Sequence, residues 1–352
     1  MSYYKIFIII LIIFLKTGNV LSLENIFNVN NIEISKKSNN SNEDLTNKAI
    51  KKGFKILLEK ILLNKDIKKL TGLEFYEIKK LVSYYQIVDE EENIGKDEVI
   101  FNIFFDKDKL HSLFYNKNIS YSDISDKELY LLPVILKKNQ IFIYNNNYFY
   151  NNWNKIYQSE LIEFILPIES IEVIQNISSN KENLFGIDLQ NLFREYENKN
   201  LAFVLIEDRG SEEEKIYLRT KILNKKIDKT IKVKKETNTK KFNDEIIKVI
   251  SIELVNIIKA QNLIDVRVPS FLNAKLIINK KNNLVELNDR LQNIDTIDGI
   301  FVQEFNNKYV LLKLRYLGKL DKIINQLNQQ NIMLEYTNNQ WNFTIKNEPV
   351  NF

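Results

Sequence analysis

Tyr144, Tyr148, Tyr150 and Trp153, in the stretch YNNNYFYNNWN, are the side chains best suited to hold a ligand, because flat rings set among amide groups suit a sugar. Other chemistries are narrowed by composition. The chain of 352 residues has no Cys, which removes disulfides, thiolate nucleophiles and thiolate metal sites together. A single His, His111, makes a zinc site with two imidazoles impossible. His111 could serve a hydroxyl–imidazole–carboxylate triad. It lies in DKDKLHSLFYNK next to the helical apolar face of Leu110, Leu113 and Phe114, the setting of a surface or boundary residue. Among eight Gly there is neither G-x-G-x-x-G nor G-x-x-x-x-G-K-[ST], so no nucleotide cradle and no cofactor is expected. Carboxylates remain. VDEEEN (Asp89 to Glu92) and FFDKDK (Asp106, Asp108) could bind a hard cation through oxygen. Neither has the glycine-containing spacing of a calcium loop, and no metal is expected. The first suits the solvated turn of a hairpin, and the second suits a helix start, where acids favour the positive end of the helix dipole.

The elements that position these residues begin with a leader. Lys5, the ten-residue apolar run Ile6 to Leu15 and small residues after it have the layout of a secretory signal peptide. Ten helical residues cover about 15 Å, half of a hydrocarbon core of about 30 Å. The expectation is therefore export with cleavage: Val20 and Ser22 occupy the −3 and −1 sites, residues 1–22 are removed, and no integral membrane span remains. Cleavage would take Lys5 and Lys16 and no acid, lowering the formal charge of +4 by two. With lysines and acids alternating along the chain and no basic stripe among aromatics, nucleic acid is not an expected partner. The excess of Asn, Ile and Lys runs through the whole length, so clusters of Asn or Lys carry little weight by themselves.

Three small mixed α/β units are expected, an α+β or α/β chain: residues 23–118, 128–265 and 273–346. The first follows the pattern β-α-β-β-α. Ile50, Phe54, Leu57, Leu58 and Ile61 share one helical face, Ser41 and Asp44 form a capping box, and Val99, Phe101, Ile103 and Phe105 alternate in a strand. SYSDISDKE is expected to be a linker. The second unit contains ELYLLPVIL and EFILPIE, whose prolines suggest strands entering loops at a sheet edge, then LAFVLIED, two further strands and a long helix over 243–261. It should sandwich a mixed sheet between helices. The third unit, in the order β-α-β-β-α-β, suggests a ferredoxin-like split βαβ with one hairpin strand added at the end.

NKAIKKGFKILLEKIL, LVSYYQIVDEE, VIFNIFFDKDKLHSLF, LYLLPV, NNWN, FILPIE and LRYLGKLDKIINQLNQQNIMLEYTNNQWNF follow one another in an order that resembles an exported proteobacterial family, domain of unknown function number two-thousand-and-sixty-six. The resemblance spans nearly the whole mature chain. It implies a periplasmic protein of an alphaproteobacterium, with no activity or catalytic residues to carry over. In that family the proline strand leads to an aromatic turn ending in Trp, the place of Trp153. By that likeness, the aromatics of 144–154 close the loop before a helix starting near Trp153 and pack over the sheet edge. The sequence departs from the family at ILPIES, where Glu169 follows Ile168 rather than a Gly. Taken together, these features suggest a non-enzymatic accessory or scaffold module whose partner is another envelope protein. The alternative is a glycan-binding protein or a hydrolase of cell-wall glycan that uses carboxylates such as Glu169.

Overall fold

Strands and helices alternate along the chain, and their apolar faces close separate cores. The structure is a computed structural model that describes residues 25–36, 41–88, 98–124, 126–159, 161–208, 213–235, 238–278 and 283–346. The leader and the Asp89 to Glu92 run lie outside these residues. Among them no helix is long and apolar enough to cross a membrane. The fold is mixed α/β, with four sheets among the described residues. Two compact units result. One joins the residues up to Glu59, Lys68–Ser120 and those from Ile264 onward; the other joins Lys60–Ile67 to Tyr121–Leu263. The N-terminal and C-terminal segments fall together in the first of these units.

In the first unit, β1 (Asn28–Ser35), β3 (Glu98–Phe105) and β2 (Val82–Val88) form an antiparallel sheet in the order β1-β3-β2. The helix α1 (Asn42–Ile61) begins with the expected box: Ser41 Oγ accepts from the Asp44 amide and Asp44 accepts from the Ser41 amide. Its apolar face buries Ile50, Phe54 and Leu57, while Phe101, Ile103 and Phe105 are buried from the sheet. Gly53 lets the helix lie close to the sheet, since a Cβ there would meet Ile32 Cδ1 at 2.8 Å and Ile103 Cγ1 at 3.2 Å. A short helix, α2 (Phe75–Lys80), leads into β2, and α3 (Lys107–Lys117) follows β3.

The second unit is a three-layer sandwich. Its sheet contains β4 (Glu128–Lys137), β5 (Gln140–Phe142), β6 (Glu163–Ile165), β7 (Asn200–Asp208), β8 (Glu213–Ile222) and β9 (Lys225–Lys234), in the order β9-β8-β7-β4-β5, with β6 also on β4. β4 and β7 are parallel and buried on both faces, which is why they appear as unbroken apolar runs instead of alternating. One face packs against α4 (Tyr148–Ile156) and α6 (Thr239–Gln261), the other against α5 (Ile171–Ser179) and the turns after it. Two expectations are corrected here. Tyr121, Ser122 and Asp123, expected in a linker, are buried, and the Asp123 amide donates to Asn262 O at 3.2 Å. Pro133 lies in the middle of a central strand and not at its end.

The C-terminal segment builds a five-stranded sheet from β10 (Ser270–Ile277), β11 (Ile297–Phe305), β12 (Tyr309–Tyr316), β13 (Ile332–Thr337) and β14 (Gln340–Ile345). α7 (Asn283–Gln292) and α8 (Leu320–Gln329) supply Leu287, Leu291, Ile323 and Leu327 to its core. The strand order is β11-β12-β10-β14-β13. The last hairpin strand is therefore no outer addition: β14 lies between β10 and β13, parallel to β10 and antiparallel to β13. Asn338 and Asn339, both with positive φ, make the turn that permits this return.

Candidate functional site

The aromatic run is organised by Asn147. On the free side of β4, β6 pairs with Glu128 to Tyr130 and β5 with Ile135 to Lys137, which leaves a gap beside Pro133. A proline is tolerated there because no ladder bond asks for its missing N–H. Asn147 fills the gap. It is 0% exposed, and its Nδ2 donates to Pro133 O at 2.8 Å, Ile143 O at 2.7 Å and Phe142 O at 3.1 Å. Its Oδ1 accepts from the amides of Phe149 and Tyr150 and so caps α4. The helix thus starts at Tyr148, not near Trp153, and three of the four candidate rings stand on it.

Each ring is then taken up by the protein. Trp153 is 0% exposed, packed beside Phe164 with α6 in one core, and its buried Nε1 finds no acceptor among the described residues. The ring is held there for its volume. Tyr144 is buried in the core on the opposite face of the sheet, meets Tyr150 edge-on at 5.1 Å, and has its hydroxyl pushed up to about 12 by burial. Tyr148 donates to Asp244 Oδ1 at 2.5 Å; burial first, then that carboxylate, push its hydroxyl up to about 12. Tyr150 donates to Pro167 O at 2.8 Å. Glu169, the acid of the hydrolase alternative, is exposed next to the α5 N-cap Ser170. The structure brings Tyr144 and Tyr150 together on one face of the sheet and turns Tyr148 and Trp153 to the other, so the four rings join α4 to the two cores.

A second cluster was missed by the sequence reading. β4 and β7 end together at Lys137 and Asp208, the end of a parallel sheet where ligands commonly bind. Asp208 accepts from Lys137 at 2.9 Å and from Lys235 at 2.6 Å, and Lys235 approaches Glu214 at 3.6 Å. Burial raises the Glu214 carboxyl, while the Asp208 hydrogen bond raises the Lys235 ammonium. Lys137, Asp208, Lys235 and Glu207 line a cleft of about 540 Å³ with Lys138 and Asn139. Of its cations, Lys137 and Lys235 are paired with Asp208. Only the charged residues that close LLPVILK and LAFVLIED pointed to it.

His111 lies on the inner side of the boundary expected for it: it turns inward with Leu110 and Phe114, meets Phe27 edge-on at 5.6 Å and keeps 9% of its surface exposed. Burial, followed by nearby Lys107, lowers its imidazole to about 4, so it is neutral at pH 7. Ser112, the adjoining hydroxyl, donates to Asp108 O at 2.9 Å and is committed to its own helix. Asp106 caps α3 by accepting from the amides of Asp108 and Lys109. Among the described residues no three His, Asp or Glu side chains converge as a metal site.

The surface with the most binding character is the face of the C-terminal sheet opposite α7 and α8. Val310, Leu312 and Leu314 point into the helix-covered core. Their neighbours on β12, with Phe271 and Lys275 of β10 and Phe301 of β11, face away. Phe271 is 53% and Phe301 46% exposed. Three cations lie over three rings: Lys313 on Phe271 at 4.5 Å, Lys275 on Tyr309 at 4.0 Å and Arg315 on Phe301 at 5.7 Å. Arg315 is also held by Asp298 at 2.7 Å. Comparison of the chain with protein-family models, with curated proteins and with solved structures finds no match.

Proposed function

We infer that this is an exported periplasmic accessory or scaffold module of the cell envelope, working through protein–protein contacts, and that the helix-free face of the C-terminal sheet is its docking surface. The observation that carries this reading is the set of exposed rings Phe271 and Phe301, with Tyr309 beside them, each under a Lys or Arg. Aromatic and Arg side chains are enriched where proteins bind one another, since rigid rings bury much area for little lost freedom. On this reading the C-terminal unit is a ferredoxin-like βαββαβ elaborated by an intercalated strand: β10, β11, β12 and β13 keep the directions of that arrangement, with β14 inserted. The ordered likeness to the exported family and the leader layout support the compartment.

The test is capture of partners from envelope extract by mature protein and by the Phe271→Ser/Phe301→Ser variant, with melting curves for both. Loss of a specific partner at unchanged stability is expected, and a mature N-terminus at Leu23 should appear in its mass spectrum. Equal capture by the variant would overturn the assignment of the face. Release of products from peptidoglycan fragments would replace the binding reading with the glycan-hydrolase one.

A further inference from the structure

On α3, His111 with Tyr115 and Ser112 with Asn116 are pairs one helical turn apart, and together they make a polar stripe beside the buried Leu110 and Phe114. With Asp298 near the start of β11, Val266 and Leu317, they line a concavity of about 310 Å³ within the first unit, at the small end of the range found for ligand sites. Its walls are fastened to one another. Arg267 Nη1 donates to Asn118 Oδ1 at 2.9 Å and ties the segment after Ile264 to the C-terminus of α3. Lys107 Nζ donates to Ile297 O at 3.4 Å, and the Leu317 amide donates to Thr296 O at 2.8 Å. A guest would meet walls already in place, without the cost of ordering them.

The lining is polar but has no unbalanced charge. Arg315 holds the Asp298 carboxylate at 2.7 Å, Arg267 holds Asp265 at 2.5 Å, and His111 is neutral at pH 7, with Lys107 and Asp108 acting on it in opposite senses. No Lys or Arg lines the concavity, so an anion would find no counter-charge there. Hydrogen-bonding capacity is nonetheless ample. The Tyr115 hydroxyl and the Asn116 amide have no partner among the described residues, Ser112 Oγ can accept while it donates to its own helix, and the Asp298 carboxylate has a second oxygen to accept with. Leu317, 2% exposed, and Val266 supply apolar surface, and the Tyr115 ring, 58% exposed, stands at the rim. The matching guest is small and uncharged, gives and accepts hydrogen bonds on several sides, and has one apolar face. We propose that this pocket binds a single neutral sugar ring, its hydroxyls bonded by Ser112, Asn116 and Asp298 and its C–H face laid against Tyr115. The site is independent of docking at Phe271 and Phe301.

Saturation-transfer NMR and titration calorimetry on the full mature chain test it, with glucose and N-acetylglucosamine as free rings and cellotriose and chitotriose as chain ends. A dissociation constant of about 1 mM is expected for a ring of about a dozen non-hydrogen atoms. Tyr115→Ala and Asn116→Ala, at exposed positions, should each weaken binding about tenfold and melt as the wild type does. Transfer to free rings and trisaccharides alike supports a ring that enters from solution or as a chain end; transfer to free rings alone supports a solution sugar. A wild-type chain that takes up none of the four overturns the proposal, as do variants that bind like the wild type. A trisaccharide held more than about tenfold tighter than its own free ring would overturn the single-ring pocket. Displacement of bound sugar by inorganic phosphate would overturn it equally, because the assigned guest is neutral.

Discussion

Replacing Asn147 offers the sharpest test of how the second unit is held together. Its amide spans a gap in the sheet: Nδ2, with two hydrogens, serves three carbonyl oxygens, while Oδ1 caps α4. Asn147→Ser keeps a capping oxygen and replaces the two amide hydrogens with a single hydroxyl hydrogen on a shorter side chain. At least two of the three carbonyls then lose their donor in a site where Asn147 is fully buried, a loss of about 2–4 kcal/mol. Asn147→Ala also removes the cap, adding about 1 kcal/mol. Asn147→Asp keeps shape and cap but aims a second oxygen at the same carbonyls, so at neutral pH it should cost more than Asn147→Ser, about 4 kcal/mol or beyond. That carboxyl would have its folded pKa raised above the unfolded value of about 3.9. The folded form then binds the proton more tightly, so the deficit of Asn147→Asp should shrink as pH falls toward that unfolded value. Urea unfolding followed by Trp fluorescence measures this in a Trp341→Phe background, where Trp153 reports alone. An Asn147→Asp protein no weaker than Asn147→Ser at pH 7, or a deficit that does not shrink in acid, would refute the assignment of Nδ2 to the three carbonyls.

Further predictions follow from the same packing. Trp153→Ala should lower stability by about 3–5 kcal/mol, as expected for a large buried aromatic, and leave retention on glycan unaffected; calorimetry and a glycan pull-down read the two. His111, neutral in the folded state with a value of about 4 and about 6.5 when unfolded, contributes stability that is complete above pH 6.5 and lost as pH falls toward 4. The difference is worth up to about 3 kcal/mol, and His111→Met should flatten this stretch of the pH–stability curve. Leu223 holds a φ of 48° in the turn between β8 and β9, beside Asn224 at 62°. Because a branched side chain is strained there, Leu223→Asn should raise the midpoint of unfolding by the equivalent of about 1 kcal/mol.

The sequence by itself determined the elements and their inward faces. Period-3.6 rows such as Ile50, Phe54 and Leu57, alternating rows such as Val310, Leu312 and Leu314, and the Ser41–Asp44 box each depend on neighbours within a turn or a strand, and the buried residues follow them. The unbroken apolar runs of β4 and β7 belong to strands covered on both faces, a placement that the proline in the first of them had masked by suggesting a strand that enters a loop at the sheet edge. The abundance of Asn, legible only as a bias in composition, has a local use that backbone geometry reveals. Of the ten non-glycine residues with positive φ among those described, eight are Asn, the side chain that best tolerates that region in a chain short of Gly. What only the tertiary structure decided depends on partners distant in sequence. Strand order is one case: periodicity gives β13 and β14 as a hairpin but cannot say which of them lies beside β10, because either choice buries an apolar row. Pro133 is another, central in the sheet because β5 and β6 leave it a gap and Asn147, fourteen residues on, fills that gap. The candidate rings followed the same rule. Their types suggested a sugar platform; instead α6 and the sheet close over Trp153, and Tyr144 is buried in the core of the opposite face, from positions that no local pattern encodes.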